Sequence, residues 1–218
     1  MGAAKEKLGE VHIVAYDAQW PSIFISERDR ILSSPAVSFS DFEHVGSTAV
    51  PGLRAKPIID MMASVAHLSD VEDFMPALNR LGYECIDVGF RTRIFLRKHP
   101  QDGGCGYHLH IVTAATWPER NERLLRDHLI ANRDAARAYA ELKTRLAIQF
   151  PDDSPAYTKA KTDLIQQMVD AARDRKVCRA WRFGKNRYRQ EALRPSIILS
   201  SLDISIWVPI PCDMGVFS

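Results

Sequence analysis

The run Ile58-Ile59-Asp60-Met61-Met62-Ala63-Ser64-Val65 constrains this chain more than any other segment. Six of its eight side chains are apolar, and they do not alternate with polar ones. A short continuous apolar run of this kind predicts a strand buried in the centre of a sheet. Asp60 is the exception inside it. A carboxylate carried into a core needs a partner or a job, because an unpaired buried charge is costly.

The surrounding pattern supplies the other elements. Val11–Val14 is a short apolar run suited to an edge strand. Trp20, Ile23, Phe24 and Ile31 recur at helical spacing, which predicts a helix over 18–34 with Asp17 as its cap and Pro21 in its first turn. Residues 38–45 read as a strand. Ser69 begins a helix through about Leu81, closed by Gly82. Runs 92–98 and 107–113 flank Gln101-Asp102-Gly103-Gly104, the signature of a hairpin. Three helical stretches follow, 118–131, 134–149 and 155–175, the last opened by Ser154-Pro155. No internal repeat is present. The plan is α+β: a small mixed sheet with flanking helices and a C-terminal helical bundle.

The chemistry concentrates around Asp60. Glu43-His44-Val45-Gly46-Ser47-Thr48 places a Gly-Ser turn after a strand and before a short helical piece. Gly46, Ser47 and Thr48 offer backbone N–H groups and hydroxyls suited to a phosphate, with Gly46 allowing close approach of the ligand. Asp60 on the neighbouring strand is placed to hold Mg²⁺ or Mn²⁺ against that phosphate. Tyr107-His108-Leu109-His110 puts His108 and His110 on one strand face, where they can join Asp60 or Glu43 as metal ligands. Lys56 and Arg93 adjoin these strands and are expected to neutralise developing charge. Arg91, Arg97, Lys98, Lys159 and Lys161 read as solvated by default. Cys85, Cys105, Cys178 and Cys212 show no metal or disulfide spacing, and Cys105 lies in a Gly-rich turn rather than a nucleophile's setting.

Charge divides the chain unevenly. Residues 1–175 carry 22 basic and 24 acidic side chains, a net of −2, whereas 176–218 carry 7 and 3, a net of +4. The domain is therefore placed at 1–175, with 176–218 an accessory or poorly ordered extension. Lys176 to Arg194 interleaves basic residues with Trp181, Phe183 and Tyr188, so nucleic acid is expected as a partner only through this tail. No run reaches the length of a membrane span, and Met1–Lys7 has no apolar h-region, so a cytoplasmic location is expected.

Several of these segments together resemble the GrpB-like family. Tyr16-Asp17-Ala18-Gln19-Trp20-Pro21, the stretch Glu43 to Leu53, Lys56-Pro57-Ile58-Ile59-Asp60, Arg93 to Lys98 and His108-Leu109-His110 carry the likeness. So do Arg126-Asp127, Ala138 to Lys143, Phe150-Pro151-Asp152-Asp153 and Ala156 to Lys161. They run in order over about residues 10–173. The resemblance implies a nucleotidyltransferase-like fold of the polymerase-beta type, a nucleotide or phosphorylated metabolite as ligand, and a domain sometimes fused to dephospho-coenzyme A kinase. Nucleotidyltransferases of that type carry Gly-Ser, two carboxylates two residues apart, and a third on a later strand. Gly46-Ser47 and Asp60 match, but Met62 replaces the second carboxylate and histidines replace the third. Three readings follow: a metal-dependent nucleotidyl or phosphoryl transferase, a non-catalytic nucleotide or phosphometabolite binder, and a hydrolase whose metal is held by His108, His110 and an acid.

Overall fold

The computed structural model describes residues 11–182, apart from Val88 and Asp102. In chain order it contains helix α1 (Trp20–Leu32), strands β1 (Asp41–Val45) and β2 (Ile58–Val65), helix α2 (Val71–Arg80) and strands β3 (Glu84–Cys85), β4 (Arg93–Lys98) and β5 (Gly106–Thr113). Helices α3 (Asn121–Ala131), α4 (Arg133–Gln149), α5 (Ser154–Lys159) and α6 (Thr162–Arg182) complete it. The five strands form one mixed sheet in the order β1-β2-β5-β4-β3, parallel only between β2 and β5. This is the expected α+β plan. The apolar run is a central strand, and all but its first residue are buried.

The two faces of the sheet differ. Ile59, Met61, Ala63 and Val65 of β2, with Leu109 and Ile111 of β5 and Leu96 of β4, pack on Trp20, Phe24 and Ile31 of α1 and on Val71, Phe74 and Leu78 of α2. Burying each of these larger side chains contributes about 1.5–3 kcal/mol. Lys98 also leaves β4 on this side, and its Nζ lies 2.8 Å from Glu27 Oε1, which Tyr83 also hydrogen-bonds. The opposite face carries Asp60, Met62, His108 and His110. Beside it, Val50 and Leu53 pack with Leu124 and Leu125 of α3, Tyr139 of α4, and Ile165 and Val169 of α6. Asp60 therefore sits between a hydrophobic layer and a helical bundle.

Differences from the sequence reading have local causes. β3 has two residues and no alternation to betray it. Val11–Val14 forms no strand; it gives a single bridge, Val14 to Ala55. Asp17 accepts from the Gln19 N–H, but the residue preceding α1 is Gln19. Asp153, not Ser154, caps α5 by accepting from Ala156 N–H, which releases the Ser154 hydroxyl for another partner. The single helix expected over 155–175 is two, separated by a turn at Ala160 and Lys161. α2 closes as expected: Gly82 has φ +88°, and Tyr83 N–H returns to Leu78 O. α6 runs to Arg182, and the rest of the basic extension lies outside the described residues. No helix among the described residues is long and apolar enough to cross a membrane.

Candidate functional site

The Gly-Ser turn is a short 3-10 segment, Ser47–Ala49, that joins β1 to the approach of β2. Gly46 precedes it at φ +73°, and a Cβ added there would stand 2.5 Å from Asp60 Oδ2. The Asp60 carboxylate, which lies against its backbone, thus requires a glycine at this position. Gly46→Ala combines a strained backbone with this clash and lowers stability by about 2–3 kcal/mol, measurable by urea denaturation; unchanged stability would show that Asp60 can move aside.

The two hydroxyls of the turn have separate duties. Thr48 is buried; its Oγ1 donates to Ile58 O at 3.0 Å and also contacts His44 Nε2 at 3.0 Å, so it braces the turn. Burial holds the His44 imidazole near a pKa of about 4, with Arg126 adding to the effect. Ser47 hydrogen-bonds Tyr139 of α4 and faces a pocket.

That pocket encloses a volume of about 70 Å³, room for about five waters. Asp60 and His108 lie on its sheet side, and Lys56, Lys143, Tyr157 and Lys161 enclose it from the other elements. Asp60 Oδ1 meets His108 Nδ1 at 3.1 Å. Lys56 Nζ donates to Ser154 Oγ at 2.9 Å, using the hydroxyl that Asp153 left available. Lys143 Nζ donates to the Arg54 carbonyl. Lys161 Nζ lies 4.0 Å above the Tyr157 ring centroid, and Lys56 Nζ lies 5.3 Å from it.

Burial governs the charges. It raises the Asp60 carboxyl, against which the His108 hydrogen bond and charge, then Lys161 and Lys56, pull it down. Burial brings Lys143 down to about 7, with Asp60 opposing. Burial also takes Lys161 well below its ordinary value, and the neighbouring Lys143 and Lys56 push it further. Three amines, two of them with basicity depressed by burial, thus face one carboxylate across the pocket.

The remaining expected residues sit elsewhere. Glu43 is held by Arg123 at 2.9 Å and by Arg126 at 2.6 Å, both from α3. His110 stacks on Phe95 at 4.9 Å, and burial, then Arg93, lowers its basicity. Arg93 forms a buried ion pair with Glu122 and lies over Phe90. Cys105 is half-buried, and burial pushes its thiol up, away from a nucleophilic thiolate.

The expected metal set Asp60, Glu43, His108 and His110 is therefore not assembled. Among the described residues, no three His, Cys, Asp or Glu side chains stand where they could share a metal ion. Met62, two residues beyond Asp60, is packed with Val45, Val112 and Trp117. One carboxylate tied to an imidazole and facing three amines does not fit Mg²⁺ or Mn²⁺, which need several oxygen donors.

Lys143, Tyr139, Tyr157 and Ser154 were not legible as site residues. A signal for Lys143 exists in retrospect: Tyr139, Lys143 and Leu146 form the buried stripe of α4, so a lysine occupies a core position.

Comparison with known proteins agrees with this architecture. A profile of the family described as GrpB protein matches residues 10–171. A UPF0157 protein of Streptomyces coelicolor is 35% identical over 156 residues, covering 72% of this chain and 81% of that one. The glutamate-rich protein GrpB of Alkalihalophilus pseudofirmus is 30% identical over 169 residues, covering 74% and 95%. The crystal structure of conserved protein GrpB from Enterococcus faecalis superposes with a TM-score of 0.68 at 29% identity, covering 76% of this chain and 99% of that one.

Proposed function

The chain belongs to the GrpB family and has its nucleotidyltransferase-like α+β fold, and from that premise we propose that its pocket binds a phosphorylated small molecule, a nucleotide or a phosphorylated metabolite, through a phosphoryl group. One observation carries the reading: Lys56, Lys143 and Lys161 converge on a pocket whose one carboxylate is Asp60. Bringing amines together in a buried place is unfavourable unless an anion joins them. A phosphoryl group supplies two negative charges and acceptor oxygens for their N–H donors and for the Ser47 hydroxyl. Amines then do the neutralising that a divalent cation does in metal-dependent nucleotidyltransferases.

Titration calorimetry with inorganic phosphate, AMP, ATP and fructose 6-phosphate, in the presence of EDTA, tests this. Binding is expected without divalent metal, and Lys161→Met weakens it by about tenfold or more. Lys56→Met serves as the second variant, and circular dichroism confirms folding of both. Absence of binding to every compound, or wild-type affinity in both variants, overturns the reading.

Phosphoryl or nucleotidyl transfer is a second reading, supported by the Asp60–His108 contact. A carboxylate that fixes one imidazole nitrogen orients the ring for proton transfer at a substrate hydroxyl or water. Product formation from a nucleotide panel, lost in Asp60→Asn with binding retained, selects transfer; no turnover under any condition leaves binding alone.

A further inference from the structure

One of the three pocket amines differs from the others in its setting. Lys143 shares the buried stripe of α4 with Tyr139 and Leu146 and is 2% exposed. It lines the pocket, yet the partner of its amine is neutral, the Arg54 carbonyl rather than a carboxylate. A neutral amine can make that bond through one N–H and keep its lone pair. Aromatic rings flank all three amines: Tyr139 at 4.9 Å from Lys143, and Tyr157 at 4.0 Å from Lys161 and 5.3 Å from Lys56. The shortest contact, which most favours an ammonium, belongs to Lys161. Desolvation and a neighbouring cation are the two conditions that make a lysine nucleophilic near neutral pH. Both hold at Lys143: burial brings it down to about 7, and Lys161 is near enough for the two charges to act on each other. Across the pocket stands a means of moving protons, Asp60 in contact with His108.

Building on the phosphate reading, we infer that the ligand is a phosphorylated aldehyde or ketone, whose carbonyl carbon Lys143 captures as an imine while Lys56 and Lys161 hold the phosphoryl group. The Lys143 nitrogen adds to the carbonyl carbon, and one of its protons passes to the carbonyl oxygen. A second proton reaches that oxygen from the Asp60–His108 pair, the C–O bond breaks, and water leaves. The nitrogen lone pair completes the C=N bond, and nothing is oxidised or reduced. The iminium so formed carries one positive charge, so it faces the phosphoryl group as the ammonium would. A cavity of about 70 Å³ keeps the carbonyl and the phosphoryl group within a short carbon chain of each other.

Glyceraldehyde 3-phosphate is the probe. The full chain is incubated with it and sodium cyanoborohydride, whose hydride reduces an imine to a stable secondary amine, and the modified residue is mapped by mass spectrometry. Label is expected on Lys143, above the level of surface lysines, and about tenfold or more faster than with glyceraldehyde, because the held phosphoryl group positions the carbonyl. Saturating sulfate suppresses it. Lys143→Met, its folding confirmed by circular dichroism, loses the label rather than moving it to Lys161. Calorimetry with glycerol 3-phosphate, which has no carbonyl, reports on phosphate binding separately. With glycerol 3-phosphate bound, the inference is overturned by absence of an adduct, by label on Lys56 or Lys161 instead, by equal rates with glyceraldehyde, or by label that survives sulfate. Failure of both glycerol 3-phosphate and inorganic phosphate to bind is a different result: it removes the phosphate reading and this inference with it.

Discussion

Arg93→Met lowers stability by about 3–5 kcal/mol and leaves phosphate binding in the lysine pocket unchanged. The size follows from burial: the Arg93 and Glu122 side chains are 3% and 2% exposed, and their charged atoms meet at 2.5 Å. Removing the guanidinium strands a carboxylate in a low-dielectric place. Arg120 stands 3.7 Å from the other Glu122 oxygen, too long for a good hydrogen bond to take over. In the double variant Arg93→Met/Glu122→Leu the uncompensated charge is gone, and most of the lost stability returns. Denaturant titration of the three variants measures this cycle. A stable Arg93→Met protein that has lost ligand affinity would instead place Arg93 in the binding machinery, the role its sequence position suggested.

What could be read from the sequence was what short-range pattern determines. β2 was read end to end because nothing else accommodates such a run. The β4–β5 hairpin was legible because Gln101 to Gly104 can hardly do anything but turn. Asp60 stood out as a charge in an apolar strand, and His108 followed from alternation, since Leu109 and Ile111 had to face the core. Partners supplied by distant segments were invisible. Glu43 resembles a metal ligand until Arg123 and Arg126, some 80 positions later, close on it. Lys161 looked like one more solvated lysine, because the turn that divides α5 from α6 contains neither Gly nor Pro. Gly46 was legible as a position of close approach, but that the Asp60 carboxylate lies against it was not. In each case the local element was legible, and what packed against its polar side chain was not.

Anion binding to the pocket weakens as pH rises, by about tenfold per unit and about a hundredfold between pH 7 and 9. Sulfate is the probe, because its own charge stays fixed over that range. In the free protein burial holds Lys143 at about 7. A bound dianion stabilises its ammonium form and raises that value, so binding takes up a proton between the two titrations. Lys161 and Asp60 act in the same direction, since an anion favours the protonated form of each. Stability runs the other way. The folded value for Lys143 lies below its ordinary 10.5, so the unfolded chain binds more protons between about 7 and 10.5. Folding stability therefore rises with pH across that window, and the full penalty is present below it. Lys143→Met removes the penalty but strands the Arg54 carbonyl, at about 1–3 kcal/mol. The net expectation is a variant more stable than wild type by about 2 kcal/mol at neutral pH, with that advantage shrinking as pH approaches 10. The same variant binds sulfate weakly, with a much flatter pH profile. Calorimetry at several pH values, paired with thermal melts, reads both effects at once. A Lys143→Met protein that is less stable at neutral pH, or one that keeps the steep pH dependence, would mean that Lys143 is not a charge held in wait for an anion.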